Sequence, residues 1–168
     1  LCLNNSDLRF ERTASGILII MPPRDSITSE RNSELTYQIT AWNKKYKLGK
    51  SFDSSTGFKL PNGAERSPDA SWVKMERWNS LTEEEQERFA PLCPDFVVEL
   101  MSPSDTLEKT RSKMKEYMEN GARLGWLINR KQKQIEIYRL NEKVEILESP
   151  QTVSGEDVLP GFILKLPL

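Results

Sequence analysis

The sequence predicts a single α/β (α+β) domain in which a mixed β-sheet is flanked by two main helices. The predicted elements follow the order β-β-α-β-β-(α)-β-α-β-β, which is neither a strict βαβ alternation nor all-β. Residues 96–101 and 125–129 are almost wholly apolar, as is typical of strands buried on both faces. With 168 residues, the chain is long enough to bury the core of one domain.

An N-terminal β-hairpin is expected over about residues 8–21. Residues 8–13 and 17–21 have strand character, and Ser15-Gly16 between them is a hairpin signal. Pro22-Pro23 ends the second strand.

The first main helix is expected to begin near Ser29, which is a suitable N-cap, and to end at Gly49. Its apolar residues are spaced three or four apart and form one stripe, comprising Leu35, Ile39, Trp42 and Tyr46. After it we expect strands at 51–60 and 65–75, separated by a Pro-Asn-Gly turn and with Pro68 at an irregular position. Ser80 or Thr82 would cap a short surface helix.

The second half begins with the buried strand at 96–101. A helix over about 105–120 follows, with Ser104 as the expected N-cap and Gly121 just past its end. Strands are expected at 125–129 and 134–140, and, within about 143–166, short closing strands at 143–147 and 158–166. The core would therefore span about residues 29–140 of one domain.

The composition excludes several classes of function. The chain contains no His, so it has no Ser-His-Asp triad and no His-ligated zinc site. Cys2 and Cys93 are too few for a Cys-rich metal site, and we expect both to be free thiols in a reducing cytoplasm. A net charge of −1 makes any attraction to nucleic acid regional, and no apolar run approaches a membrane span.

Two acidic residues stand out because of their places in predicted strands. In the strand at 96–101, Asp95, Val97, Glu99 and Met101 share one face, so Glu99 is a carboxylate in an otherwise apolar strand. Burying an unpaired carboxylate is costly, so Glu99 requires a cation, a donor or a metal. Together with Asp69 on a neighbouring strand it would suit Mg²⁺; alternatively, Asp69 ends a strand and Glu99 pairs with Arg or Lys.

The helix after Glu99 offers a cation. Lys113 and Lys115 flank its apolar stripe on opposite sides, and Tyr117 lies one turn after Lys113. Either lysine could reach Glu99, or both could face solvent, and helix geometry leaves the choice open. Glu34 in the first helix could add a third carboxylate or simply complement the helix dipole.

Four segments of the chain resemble a known family: RSPDASWV, CPDFVVELMSPSD, KMKEY and NGARLGWLIN. They closely resemble the Uma-type family of bacterial putative restriction endonucleases, within the PD-(D/E)XK nuclease superfamily. The resemblance implies a restriction-endonuclease-like fold and Mg²⁺- or Mn²⁺-dependent endonuclease activity on DNA.

The resemblance also implies roles for individual residues. Asp69 matches the Asp of the PD motif and Glu99 the acid of (D/E)XK, with the Leu100 carbonyl as a further metal ligand. Met101 stands where the superfamily has its strand Lys, and the KMKEY run points to Lys113 as the replacement. Glu34 resembles the acid of the first helix in some members. Asp95 shares the face of Glu99 and is expected to line the site.

Three functional interpretations follow. The first is a cytoplasmic metal-dependent endodeoxyribonuclease, expected to act as a homodimer. The second, kept open by Met101, is a catalytically inactive nucleic-acid-binding module on a nuclease fold. The third is a dimeric scaffold that pairs through the closing strands. Eight basic and three acidic residues between 107 and 133 are compatible with a phosphate-binding surface.

Overall fold

A six-stranded mixed sheet with one long helix on each face forms the centre of the fold in this computed structural model, which describes residues 8–168. The strands are β1 (Arg9–Arg12), β2 (Leu18–Met21), β3 (Gly49–Asp53), β4 (Phe58–Lys59), β5 (Glu65–Arg66), β6 (Ala70–Lys74), β7 (Phe96–Leu100), β8 (Leu124–Asn129), β9 (Gln134–Arg139), β10 (Glu145–Glu148), β11 (Thr152–Ser154) and β12 (Ile163–Lys165). The helices are α1 (Ser26–Tyr46), α2 (Met75–Asn79), α3 (Glu83–Gln86) and α4 (Leu107–Glu119).

The central sheet has the order β10-β9-β8-β7-β6-β3. Only β7 and β8 pair in parallel within it, joined by α4, and the other neighbours are antiparallel. The N-terminal hairpin joins β5 and β4 in a second sheet of order β2-β1-β5-β4, while β11 and β12 form a separate pair. The predicted fold class, a mixed sheet between two main helices, is confirmed.

Alternation along β7 separates two cores. Phe96, Val98 and Leu100 face α1 and pack with its residues Leu35, Ile39 and Trp42. Val97 faces the other side, where Met114 and Tyr117 of α4 pack. Glu99 lies between Val98 and Leu100 and therefore points to the α4 side.

Both strands predicted between α1 and α2 are interrupted. The stretch 51–60 divides into β3 of the central sheet and β4 of the second sheet, with a turn in which the Asp53 carboxylate accepts the Ser55 N–H (2.9 Å). The stretch 65–75 divides at Pro68, which has no N–H to give to a ladder. The Ser67 N–H instead bonds the Glu11 carboxylate at 3.0 Å.

The predicted ends of the first helix were wrong. Asp25, not Ser29, is the N-cap of α1, because its carboxylate accepts both the N–H (2.9 Å) and the hydroxyl (2.6 Å) of Thr28. At the other end Lys47 adopts the left-handed conformation (φ 55°) that was expected of Gly49. Gly49 already belongs to β3, where a Cβ would lie 2.2 Å from the Val73 carbonyl oxygen.

The second helix also begins later than predicted. Thr106, not Ser104, caps α4, because the Asp105 carboxylate turns back to the N–H of Ser102 (2.7 Å). Gly121 follows the helix with a φ of +109°, as predicted. Thr82 caps α3 in a capping box with Glu85, whereas α2 and β11 were not predicted.

None of the helices described between residues 8 and 168 combines the length and apolarity needed to cross a bilayer.

Candidate active site

The backbone of the central sheet brings Asp69 beside Glu99. Asp69 immediately precedes β6, and its N–H donates to the Val98 carbonyl at 3.0 Å. Its Oδ2 accepts the N–H of Leu100 at 2.8 Å. Because β6 and β7 are antiparallel, the start of β6 adjoins the end of β7, and both carboxylates are buried there.

Side chains of α4 reach Glu99 from the same side of the sheet. Lys113 Nζ lies 2.9 Å from Glu99 Oε1, and the Tyr117 hydroxyl donates to that oxygen, also at 2.9 Å. The two residues are four apart and so lie on one face of the helix. Lys115 has no ion pair with Glu99; it is exposed, lines the same cavity as predicted and pairs with Glu119 at 3.7 Å.

A carboxylate from the N-terminal hairpin completes this buried group, and the sequence reasoning missed it. Glu11 of β1 accepts a hydrogen bond from Lys113 Nζ at 2.7 Å and one from the Ser67 N–H at 3.0 Å. Arg66 Nη1 lies 3.3 Å from its other oxygen. A lone Glu in a short hairpin strand carries no local sign of burial, so the sequence offered no signal for it.

Two arginines that the sequence reasoning also missed face Asp69. Arg24, in the loop between β2 and α1, donates to Asp69 Oδ1. Arg9 Nη2 lies 4.0 Å from the same oxygen and donates to the carbonyl of Ser54 at 2.9 Å. Only the folding of the hairpin over the end of the central sheet makes these contacts, so neither residue could be singled out beforehand.

Burial and the neighbouring charges shift the titration of this group. Burial raises the pKa of Glu99 to about 7. The charge of Lys113 acts to lower this pKa, and the charges of Asp69 and Glu11 act to raise it further. Burial also acts to raise the pKa of Glu11, but the charge and hydrogen bond of Lys113 hold that pKa below its usual value. Burial acts to lower the pKa of Lys113, but Glu99, Glu11 and Asp69 raise it, so the ammonium stays charged.

Glu99, Glu11 and Lys113 open into a cavity of about 820 Å³, whereas Asp69 lies behind its lining. Leu100, Met101 and Lys113 line it, together with Glu11, Glu99, Arg9 and Arg24. Met101 therefore lines the cavity but contributes no charge to it. Over residues 8–168, no three His, Cys, Asp or Glu side chains are grouped to hold a metal ion by themselves.

Two of the predicted site residues lie elsewhere. Asp95 is at the opposite end of β7 from the cavity, where it accepts the Lys74 N–H (2.8 Å) and pairs with Arg77 (3.0 Å). It shares the face of Glu99, as predicted, but does not line the same cavity. Glu34 on α1 bonds Gln38 (2.9 Å), which in turn contacts β12, so it is not part of the carboxylate group.

Comparison with known proteins agrees with this fold. A crystal structure of a putative nuclease belonging to DUF820 from Anabaena variabilis superposes with a TM-score of 0.78 and 21% identity. The match covers 93% of this chain and 86% of that one, and at this identity it shows the fold alone. Comparison with curated proteins gives no match. A family model described as "Putative restriction endonuclease" matches residues 1–167, and the chain therefore belongs to the Uma2 family.

Proposed function

We propose that the protein is a nuclease that hydrolyses phosphodiester bonds of DNA with a divalent metal ion, Mg²⁺ or Mn²⁺, held by Asp69 and Glu99. The observation that carries the proposal is the ammonium of Lys113, 2.9 Å from Glu99 Oε1 in a buried carboxylate group. From α4 it supplies the positive charge that Met101, directly after β7, does not supply. Membership of a family of putative restriction endonucleases supports the same reaction.

The residues present suit a magnesium-like ion. Mg²⁺ binds through one or two carboxylates and keeps several waters. It therefore does not need a cluster of three His, Cys, Asp or Glu side chains, which is not found over residues 8–168. Asp69 and Glu99 supply hard oxygen atoms from adjoining strands, and the Leu100 carbonyl would be the third protein ligand. A bound ion would polarise the scissile phosphate and lower the pKa of an attacking water.

The other side chains would orient the reactants and stabilise charge. Lys113 would position the attacking water and stabilise negative charge on the phosphate in the transition state. The Tyr117 hydroxyl, donating to Glu99 Oε1 at 2.9 Å, would hold that carboxylate in one orientation. Arg24 and Arg9 are placed at the cavity to bind a phosphate once Asp69 no longer engages them.

Cleavage and metal binding should be measured on the same variants. Calorimetric titration of Mn²⁺ should show binding to the wild type and none to Asp69→Ala. Lys113→Ala should keep Mn²⁺ binding but lose roughly 10²-fold or more in the rate of DNA cleavage. Lys115→Ala is the matched control, because Lys115 is two residues away and pairs with Glu119 rather than Glu99, and it should lose much less of the cleavage rate. Undiminished cleavage by Glu99→Gln would overturn the assignment.

A non-catalytic nucleic-acid-binding module is the second candidate. It is favoured by the arginines on Asp69, because the protein's own cations already neutralise the carboxylate that a metal would need. This candidate predicts DNA binding that falls steeply with salt and no cleavage with either metal.

Cutting both strands in one binding event favours two active sites, so we also propose that the nuclease acts as a homodimer in the bacterial cytoplasm, where its DNA substrate lies. Sedimentation equilibrium with and without DNA would test the oligomeric state. A monomer in both conditions would contradict it.

A further inference from the structure

A second cavity lies beside the carboxylate group and is not explained by the proposed chemistry. It has a volume of about 530 Å³ and lies between the first half of α1 and the end of β3. Residues with polar or charged side chains line it, including Arg24, Asn32, Tyr37, Ser29, Thr36 and Ser54. We call it the α1 cleft. Its size is within the range of small-molecule sites, and a nucleotide would fit such a volume.

Asn32 is the first sign that the α1 cleft binds something. Its side chain is 7% exposed, and neither its amide nitrogen nor its oxygen has a hydrogen-bond partner among residues 8–168. Buried side-chain amides are almost always bonded, because an unmet donor or acceptor loses its hydration without compensation. The amide nitrogen and oxygen of Asn32 are therefore unpaired polar atoms in the wall of the α1 cleft.

Arg24 is the second sign, because it lines both cavities. One of its terminal nitrogens donates to Asp69, whereas Nε and the other terminal nitrogen have no partner among the described residues. A ligand in the α1 cleft would thus lie next to the same guanidinium that faces the carboxylate group.

Tyr37 and the hydroxyls give the cleft the chemistry of a nucleotide site. The Tyr37 side chain lines the cleft and 66% of the residue is exposed, so its ring is accessible to a ligand. Aromatic rings at such edges stack on nucleobases. Ser29 and Thr36 could bond sugar or phosphate oxygens. The one acid, Asp53, is engaged by the N–H (2.9 Å) and the hydroxyl (2.5 Å) of Ser55.

We infer that the α1 cleft binds one nucleotide of the substrate strand, with Asn32 bonding the base edge, Tyr37 stacking on the base and Arg24 contacting the adjoining phosphate. The inference rests on the proposed function for its substrate class. It adds a binding site for a base next to the phosphate that is cut.

The test uses the four deoxynucleoside 5′-monophosphates and, for comparison, deoxyribose 5-phosphate, with EDTA present. Titration of the ¹⁵N-labelled full chain should shift the side-chain amide resonance of Asn32, assigned by its loss in Asn32→Leu. At least one nucleotide should bind more tightly than deoxyribose 5-phosphate. Tyr37→Ala should weaken that nucleotide about tenfold by loss of stacking. Tyr46→Ala, on the same helix but outside the cleft, is the control and should leave the nucleotide affinity unchanged.

The Asn32→Leu variant separates binding from packing. An apolar side chain of similar size removes the unmet amide, so the melting temperature should rise while nucleotide binding is lost. A variant that still binds nucleotide as well as the wild type would overturn the inference, as would equal binding of nucleotide and deoxyribose 5-phosphate. Because Tyr37 is exposed, Tyr37→Ala still tests the site if Asn32→Leu does not fold.

The outcomes also separate this inference from the proposed function. Glu99→Gln should bind the mononucleotides as the wild type does, whether or not DNA is cleaved. If the wild type binds nucleotide but shows no metal-dependent cleavage, the nucleotide site in the α1 cleft is supported and the proposed nuclease activity is contradicted. If Asn32→Leu and Tyr37→Ala cleave DNA and also bind nucleotide normally, the nuclease activity is supported and the nucleotide site in the α1 cleft is contradicted.

Discussion

At the scale of single residues, the candidate site depends on how buried charges are paired. Lys113 serves two carboxylates at once, with Nζ 2.7 Å from Glu11 and 2.9 Å from Glu99. Removing one partner of a buried pair leaves an uncompensated charge, which is costly. The N-terminal hairpin, which supplies Glu11, therefore helps to compensate the buried charge of Lys113.

Arg24 should compete with a metal ion for Asp69. Arg24→Ala removes a cation that bonds this carboxylate, so we expect Mn²⁺ to bind several-fold more tightly in the absence of DNA. DNA affinity should fall in the same variant, because a phosphate contact is lost. Calorimetry with Mn²⁺ and fluorescence anisotropy with a DNA duplex would measure the two effects. Weaker Mn²⁺ binding by Arg24→Ala would show that the arginine supports the ion rather than competing with it.

Metal affinity should depend on pH through Glu99. Burial raises the pKa of this carboxyl to about 7, so a proton occupies it at lower pH and must leave before a cation binds. The Mn²⁺ affinity should fall up to about tenfold per pH unit below 7 and become nearly constant above it. Calorimetric titrations between pH 5.5 and 8 would measure this profile. An affinity independent of pH over that interval would exclude Glu99 as the titrating ligand.

At the scale of secondary-structure elements, local signals identified the helices and strands better than their ends. The apolar stripe of α1 was recognised, and Leu35, Ile39 and Trp42 are buried as predicted, whereas Tyr46 is 43% exposed. Several Ser, Thr and Asp residues precede each helix, and any of them could cap it. Which one does so depends on the path by which the chain enters the helix.

The N-cap of α4 can be tested with a matched pair of substitutions. The Thr106 side chain accepts the Lys109 N–H, whereas the Ser104 hydroxyl bonds Ser102 outside the helix. Thr106→Ala should lower the free energy of unfolding by about 1 kcal/mol, and Ser104→Ala should change it by much less. Urea denaturation of both variants would measure the difference. Equal losses of unfolding free energy in the two variants would contradict the assignment of Thr106 as the N-cap.

At the scale of the whole molecule, the core between α4 and the central sheet buries Cys93. Its thiol is buried on the α4 side and lies 3.5 Å from the Tyr117 carbonyl oxygen. Burial raises its pKa to about 12, so almost no thiolate forms at neutral pH.

Thiol labelling should therefore report on the opening of this core. Cys2 lies outside the described residues, and replacing it with Ser leaves Cys93 as the one thiol of the chain. At pH 8, Ellman's reagent should label this variant only slowly in native buffer and completely in urea, because labelling requires exposure. Complete native labelling within seconds would contradict the burial of Cys93.

The sequence by itself determined the fold class, most elements and the family. Hydrophobic periodicity is local, so β7, α1 and α4 could be located from spacing, and the resemblance singled out Asp69, Glu99 and Lys113. The tertiary structure decided which charges meet. Lys113 and Lys115 are equivalent by helix arithmetic, and only the packing of α4 on the sheet places the first, and not the second, beside Glu99. Glu11, Arg24 and Asn32 owe their positions to contacts between segments distant along the chain, and for that physical reason no local pattern could predict them.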